Sequence, residues 1–418
     1  MLGKIAKWTF LAFMPLYMIS QYLFVRGINT FILFYHPLRL ILLILAMSLM
    51  MKKSDSVFIK LMLAFFVYNI LSIVFYGFND TPVSCYLGVL ESYLYPMIFA
   101  WIGYRYSNDE NYNKAFLFSC LFCFLIGFYL YFTMPPYYLQ FLYDFQTTGW
   151  TAKENVTENS ILAFSRFSSF FGTAYVISYL SIPALTISLG YTLYKKSPMP
   201  KFWLYFIAIV SFVAVVLSQM RIAMAYSAGV LLFFGFYSFK KSRSSKLLIL
   251  YGVVIVLFIS LLGYLASLGR FDVISENIIG RLSEMDFDDA MDQRTFQYTT
   301  LSDRATWWSY VTGLGMGSCG GMARAVGLVG VTDGEWVKMF YEMGLFGMSI
   351  FGLMVLVSIV RGFKHLRLYY IELIIVVYFL VAGVGSDSLT MNIPCAMFWY
   401  SLGRIWNKKY YQVKLQYS

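Results

Sequence analysis

The sequence predicts an all-α integral membrane protein of about twelve transmembrane helices. Three observations carry that prediction. First, 60% of the 418 residues are hydrophobic and only 13% are charged. Soluble domains hold about 45–50% apolar and about 25% charged residues. The mean hydropathy of +0.66 agrees. Second, the apolar residues fall in runs near the roughly 20 residues that a helix needs to cross a bilayer. Third, clusters of lysine and arginine occupy every second connection between those runs.

The runs lie within 8–25, 30–51, 57–77, 83–103, 115–133, 170–194, 202–219, 222–239, 247–267, 336–360, 369–385 and 389–404. Lys4 and Lys7 precede the first, and no small-residue cleavage site follows it, so it reads as a span and not as a removed signal. The run 30–51 contains Pro37 and Arg39, and 389–404 is short. Cys120 and Cys123 form a CxxC, but they sit inside the apolar run LFSCLFCFLIGFYL and read as small helix residues. No repeat of fixed period is visible.

Orientation follows from the connections. Lys52 and Lys53, Arg105 and Lys114, KKSPMPK at 195–201, KKSRSSK at 240–246, RGFKHLR at 361–367 and NKKYYQVK at 407–414 fall on one side. The positive-inside rule makes that side cytoplasmic and puts both termini there. The net charge of +11 is therefore a topology signal, and nucleic acid is not an expected partner.

Of the 32 basic residues, 21 belong to that cytoplasmic side, Lys60 and Arg404 included, and the opposite side carries the other 11: Arg26, Arg39, Arg166, Arg221, Arg270, Arg281, Arg294, Arg304, Arg324, Lys153 and Lys338. Nine of these 11 are arginine. Lysine suffices for topology, whereas arginine is favoured where a planar fork must hold phosphate or carboxylate. Two long connections, 134–168 and 268–335, also fall on this outer side. Loops of that length are usually functional or disordered. WWSY at 307–310 and the glycine run from 313 to 321 predict a folded cap.

Within that side the candidate groups are few. Arg221 opens a span after a turn of very few residues, so its guanidinium stays at the interface, toward headgroups or toward a pocket in the bundle. Ala223, Ala225, Ser227, Ala228 and Gly229 follow it and predict close helix packing. Arg304 stands three residues before Trp307, and the spacing places it on one membrane-apposed helix with Trp307 and Trp308, which read as interface anchors. The run SEMDFDDAMD at 283–292 contains a DxD, Asp286 and Asp288, that reads as a solvated face and not as a metal site. No metal or cofactor is expected. Glu91 and Glu342 are predicted inside the membrane, where a carboxylate is costly and points to function or to an ion pair. Only His36 and His365 are present, which leaves no histidine base for the outer mouth.

Together RFSSFFGTAYVISYL, SQMRIAMAYSAGVLL, DRATWWSYVTGLGMGSCGG, DGEWVKMFYEMGLFG and PCAMFWYSLGR resemble the O-antigen polymerase and ligase superfamily, and more closely its Wzy-type polymerases. The resemblance spans about 160–405. It implies a single polytopic domain over 1–418, a GT-C-class glycosyltransferase fold, and the bacterial inner membrane with the long loops in the periplasm. It implies undecaprenyl-diphosphate-linked glycans as substrates, membrane lipids as surroundings and a chain-length regulator as a partner. By resemblance Arg166, Arg221 and one of Arg294 or Arg304 hold the diphosphate, with Arg324 as a further candidate. Asp333 stands where ligases typically carry a histidine, which favours the polymerase. Asp333, or Glu335 in its place, would activate the acceptor hydroxyl. The competing readings are an O-antigen ligase and, outside enzymes, a flippase for lipid-linked oligosaccharide.

Overall fold

The computed structural model describes residues 14–23, 56–148, 166–194, 197–242, 298–320, 334–390 and 394–417, with a few further positions between 295 and 331. These residues are helical, with no strand among them. The elements are α1 (14–23), α2 (Val57–Leu71), α3 (Ile73–Phe78), α4 (Met97–Arg105), α5 (Asn111–Thr133), α6 (Pro136–Thr148), α7 (Ala174–Thr192) and α8 (Lys201–Ser218). They continue with α9 (Arg221–Ser242), α10 (Trp307–Thr312), α11 (Glu335–Lys364), α12 (Leu366–Ala382), α13 (Ala396–Ile405) and α14 (Lys408–Tyr417). Among the described residues, five stretches are long and apolar enough to cross a membrane: Val57–Phe78, Asn111–Thr133, Ala174–Thr192, Lys201–Ser218 and Glu335–Lys364. The expected spans at 30–51 and 247–267 lie outside the described residues.

Exposed faces mark the chain as membrane-embedded. Phe118, Phe122, Leu125 and Tyr129 line one exposed stripe of α5 at helical spacing. Leu345, Phe346, Leu353, Leu356, Val360 and Phe363 do the same on α11. Water would not tolerate apolar faces of that extent, but lipid does. α7 has no such face. It is buried on all sides, 94% of its apolar window, and packs against α8 and also α5, α9 and α12. A helix apolar all round belongs in the centre of the bundle.

Two predicted spans are interrupted. The run 83–103 is divided into a 3₁₀ turn at Val83–Cys85, a short turn of helix at Tyr86–Val89, a π turn at Leu90–Leu94 and α4 after Pro96. Proline removes a backbone donor and cannot continue the turn before it, which explains the break. Among the described residues of the run 389–404, the helix is the ten-residue α13. α13 instead packs closely along α4, where Gly103 faces the Tyr400 carbonyl and Gly403 faces that of Ala100. A Cβ at either glycine would overlap the opposing backbone, so only glycine permits this crossing.

Helix ends sort into two sets, as alternating orientation requires. At one end Arg404 of α13 pairs with Glu110, just before α5, and lies 3.6 Å from Glu372 of α12. Tyr191 of α7 and Tyr410 of α14 also donate to Glu110. These are ends that the charge rule assigns to the cytoplasm. Arg404 is thus a fully buried structural ion-pair partner and not a solvated topology signal.

The other end holds the glycine-rich cap. Tyr76 of α3 donates to the Met316 carbonyl, and Ser309 of α10 donates to Asn79 Oδ1 at 2.6 Å. The α11 helix breaks at Gly344, whose φ of 59° takes a left-handed conformation that suits glycine. Gly313 of the cap fits against that break, under the Glu342 carbonyl. The cap is therefore wedged into the bundle and does not float above it.

Candidate functional site at the outer end

The arginine segments are positioned by backbone. α8 ends at Ser218, Gln219 caps it in the left-handed conformation at φ 55°, and α9 starts at Arg221. The Phe167 amide donates to the Leu217 carbonyl at 2.9 Å. That bond pins the segment beginning at Arg166 against the turn that precedes Arg221. Arg221 is exposed, while Arg166 is half-buried with a buried Nε that has no hydrogen-bond partner among the described residues. Such buried polar atoms are few in folded proteins and each asks for an explanation.

An apolar cleft of about 510 Å³ lies between α9 and α12, starting at Ile222, the residue after Arg221. Ile222, Ala225, Tyr226, Gly229 and Phe233 line one wall, and Ile374 and Val381 line the other. The small residues after Arg221 therefore do not all make the close helix contact the sequence predicts. Ala223 and Ser227 are buried, but Ala225 and Gly229 line this cleft, with nothing within 4 Å of where a Gly229 Cβ would stand. The cleft is lined by apolar residues, and its wall on α9 begins at Ile222, the residue after Arg221.

A second apolar cleft, about 340 Å³, lies between α1, α5 and α6. Met18, Tyr22, Phe122, Ile126, Tyr137 and Phe170 contribute to its walls. Phe170, on the segment that begins at Arg166, forms part of this cleft's wall.

Arg304 ends the helical run 298–304, and Ala305 and Thr306 break it before α10. Thr306 caps α10 through a reciprocal pair of bonds with Ser309. Arg304 and the tryptophans therefore stand on separate helices, contrary to the single helix expected, because the Thr306 cap starts a new one. Trp307 and Trp308 stack on one another and remain exposed. Arg304 Nη1 is buried without a hydrogen-bond partner among the described residues. Burial pushes the Cys319 thiol up to about 12, with the Glu342 carboxylate adding to the rise.

The carboxylates separate by role. Glu335 is fully buried at the first turn of α11. Its Oε2 accepts from the Leu389 and Thr390 amides at 3.0 and 3.3 Å, and its Oε1 accepts from Thr390 Oγ1 at 2.7 Å. Lys338 lies 3.4 Å from Glu335 and 3.3 Å from Asp387 Oδ2, and donates to Thr390 Oγ1 at 2.6 Å. Glu342 accepts from the Cys319 amide at 3.0 Å and from Tyr93. Its role in the structure is to hold the cap. Glu335 and Glu342 are thus both saturated by the fold.

Asp387 and Lys338 escaped sequence reasoning as a pair. The signal was present in GSDSLT, an acidic residue in a short outer turn, but nothing in the sequence links that turn to α11. Asp333, Arg294 and Arg324 lie outside the described residues, as does the acidic run 283–292. The backbone of Glu91 falls in the π turn, a feature that often marks functional positions, and its side chain lies outside what is described. No group of three or more metal-ligating side chains occurs among the described residues.

No protein-family profile matches this chain. No curated protein sequence matches it as a relative.

Proposed function

We propose that this protein polymerises a surface polysaccharide from undecaprenyl-diphosphate-linked units at the periplasmic face of a bacterial inner membrane. In this reading it is a GT-C-class glycosyltransferase of Wzy type, and it moves the growing glycan from its lipid carrier onto the terminal sugar of a new lipid-linked repeat unit. The observation that carries the reading is the Arg166 segment bonded to the turn before Arg221, which leads straight into the helix that lines the apolar cleft between α9 and α12. An isoprenoid tail needs the cleft and a diphosphate needs the arginines.

The chemistry fits such a site. Negative charge grows on the diphosphate as the glycosidic bond breaks. Guanidinium groups fixed in a partly dry site stabilise that charge more in the transition state than in the ground state. Asp333 remains the base that the resemblance implies.

Deletion of the gene tests the proposal, with surface polysaccharide separated by gel. Core carrying one repeat unit, with the ladder lost, is the expected result. Bare core with long polymer left on the lipid carrier would make the protein a ligase. Bare core with single units trapped on the cytoplasmic face would make it a flippase.

A further inference from the structure

We propose that the turn between α11 and α12, together with the first turn of α14, binds the headgroup of an anionic glycerophospholipid in the leaflet at that end of the bundle. The proposal stands apart from the polymerase reading and uses none of its residues. Lys364 closes α11, Arg367 stands in the first turn of α12, and Lys408 and Lys409 open α14. All four side chains are exposed, and none of them forms an ion pair among the described residues. Topology asks only for cations somewhere on this side of the membrane. It does not ask for four of them on two turns that the fold brings together.

Neighbouring groups hold those two turns against each other. Arg361 Nε donates to the Ile405 carbonyl at 3.0 Å, and its guanidinium lies 4.6 Å over the Trp406 ring. His365 meets the Tyr411 ring edge to face at 5.2 Å. The Tyr410 hydroxyl lies 3.1 Å from Glu110 Oε1 and 3.0 Å from Glu372 Oε1, which seats α14 on the buried Arg404 cluster. Arg361 and His365 thus build the platform, and the four exposed cations stand on it. Acids that could neutralise them face elsewhere. Among the described residues at this end, Glu110 and Glu372 are buried around Arg404, and the exposed Asp109 accepts from the Asn111 amide at 3.0 Å.

The surface next to the cations selects a lipid over a soluble anion. The exposed apolar stripe of α11, with Leu356, Val360 and Phe363, runs up to Lys364, and the exposed Leu366 precedes Arg367. Acyl chains lie along such a face, and the phosphodiester then reaches the cations at its end. Lysine and arginine stems at the edge of an apolar surface put their charge at headgroup depth. The arginine fork fits two phosphate oxygens, and each lysine adds a point charge. A zwitterionic headgroup carries its own cation and gains less from four more.

The test uses the full-length protein in a neutral detergent, with native mass spectrometry counting bound lipid. Phosphatidylglycerol and phosphatidylcholine of equal chain length are the probes. Wild type should bind phosphatidylglycerol saturably and in preference to phosphatidylcholine. Each cation near an anionic headgroup is worth about fivefold in binding, so Lys364→Gln/Arg367→Gln/Lys408→Gln/Lys409→Gln should lose roughly 10²-fold or more of the preference. Its melting temperature without added lipid should match wild type, because all four residues are exposed. Arg367→Gln alone should lower the preference. Lys201→Gln should leave it unchanged, because that exposed cation stands on α8, which packs on α7, α5 and α9. No preference in wild type, or an unchanged preference in the quadruple variant, overturns the proposal. So does an equal loss in Arg367→Gln and Lys201→Gln, which would make the effect one of net charge alone. Displacement of the lipid by an equal concentration of inorganic phosphate would make this a site for a soluble anion and overturn it too. If the quadruple variant fails to insert, Lys364→Gln/Arg367→Gln and Lys408→Gln/Lys409→Gln are measured separately, and an unchanged preference in both overturns the proposal.

Discussion

The Phe167 amide donates to the Leu217 carbonyl at 2.9 Å, and this bond ties the segment of Arg166 to the turn that precedes Arg221. The two arginines are far apart in sequence. One backbone bond, a left-handed Gln219 and the helix start at Arg221 set where they stand.

Arg221→Lys keeps the charge and loses the planar fork. If the fork holds a diphosphate, the variant should lose roughly 10²–10³-fold in rate, about 2–4 kcal/mol of transition-state stabilisation. Polymer length and rate in reconstituted membranes check it. Wild-type polymer from this variant would remove Arg221 from the diphosphate site.

Arg404 is the buried cation among Glu110, Glu372, Tyr191 and Tyr410. Arg404→Met leaves two buried carboxylates facing each other without it. Losing one partner of a buried pair costs about 3–5 kcal/mol. The melting temperature in detergent should drop steeply, and Arg404→Met/Glu110→Gln should recover part of the loss. Equal melting temperatures for wild type and Arg404→Met would contradict a structural role for this cluster.

Gly403→Ala places a methyl group into the Ala100 carbonyl at the α4–α13 crossing. Overpacking of this kind costs about 1–3 kcal/mol. A broadened elution profile of the solubilised protein and a lower melting temperature are expected, whereas Gly229→Ala, with open space around it, should leave both unchanged.

Cys319 is buried in the cap, and its thiol is pushed up to about 12. The folded protein should resist maleimide at pH 7–9 and react at this site after denaturation. The raised value also ties stability to pH. Below about 9 the thiol is neutral in both states and contributes nothing to the pH slope. Between about 9 and about 12 the unfolded chain releases the proton and the folded one retains it, so stability falls as pH rises. Cys319→Ser should flatten that part of the curve. Rapid labelling of the native protein would show that the cap opens.

Much of this architecture was legible in the sequence. Apolar runs long enough to cross a bilayer and alternating lysine clusters locate helices and ends, because the bilayer imposes both constraints on any chain. What stayed hidden depends on contacts between distant segments. Pro96 and Gly344 break helices that hydropathy alone draws as continuous, since an apolar average does not register a missing donor or a positive φ. Arg404 looked like a topology lysine's equivalent, but Glu110 and Glu372 meet it only in three dimensions. Glu335 looked like a free acid at the mouth because the amides of Leu389 and Thr390 that saturate it come from another helix pair. Asp387 was overlooked for the same reason in reverse: its partner Lys338 sits on α11.

The central claim is that the protein joins lipid-linked glycans on its outer side. Purified protein in liposomes, given only undecaprenyl-diphosphate-linked repeat units, tests it most directly, with products separated by length. The account predicts lipid-linked chains of two and more units, and their loss in Arg221→Lys. Single units left unextended by the intact wild-type protein would contradict it.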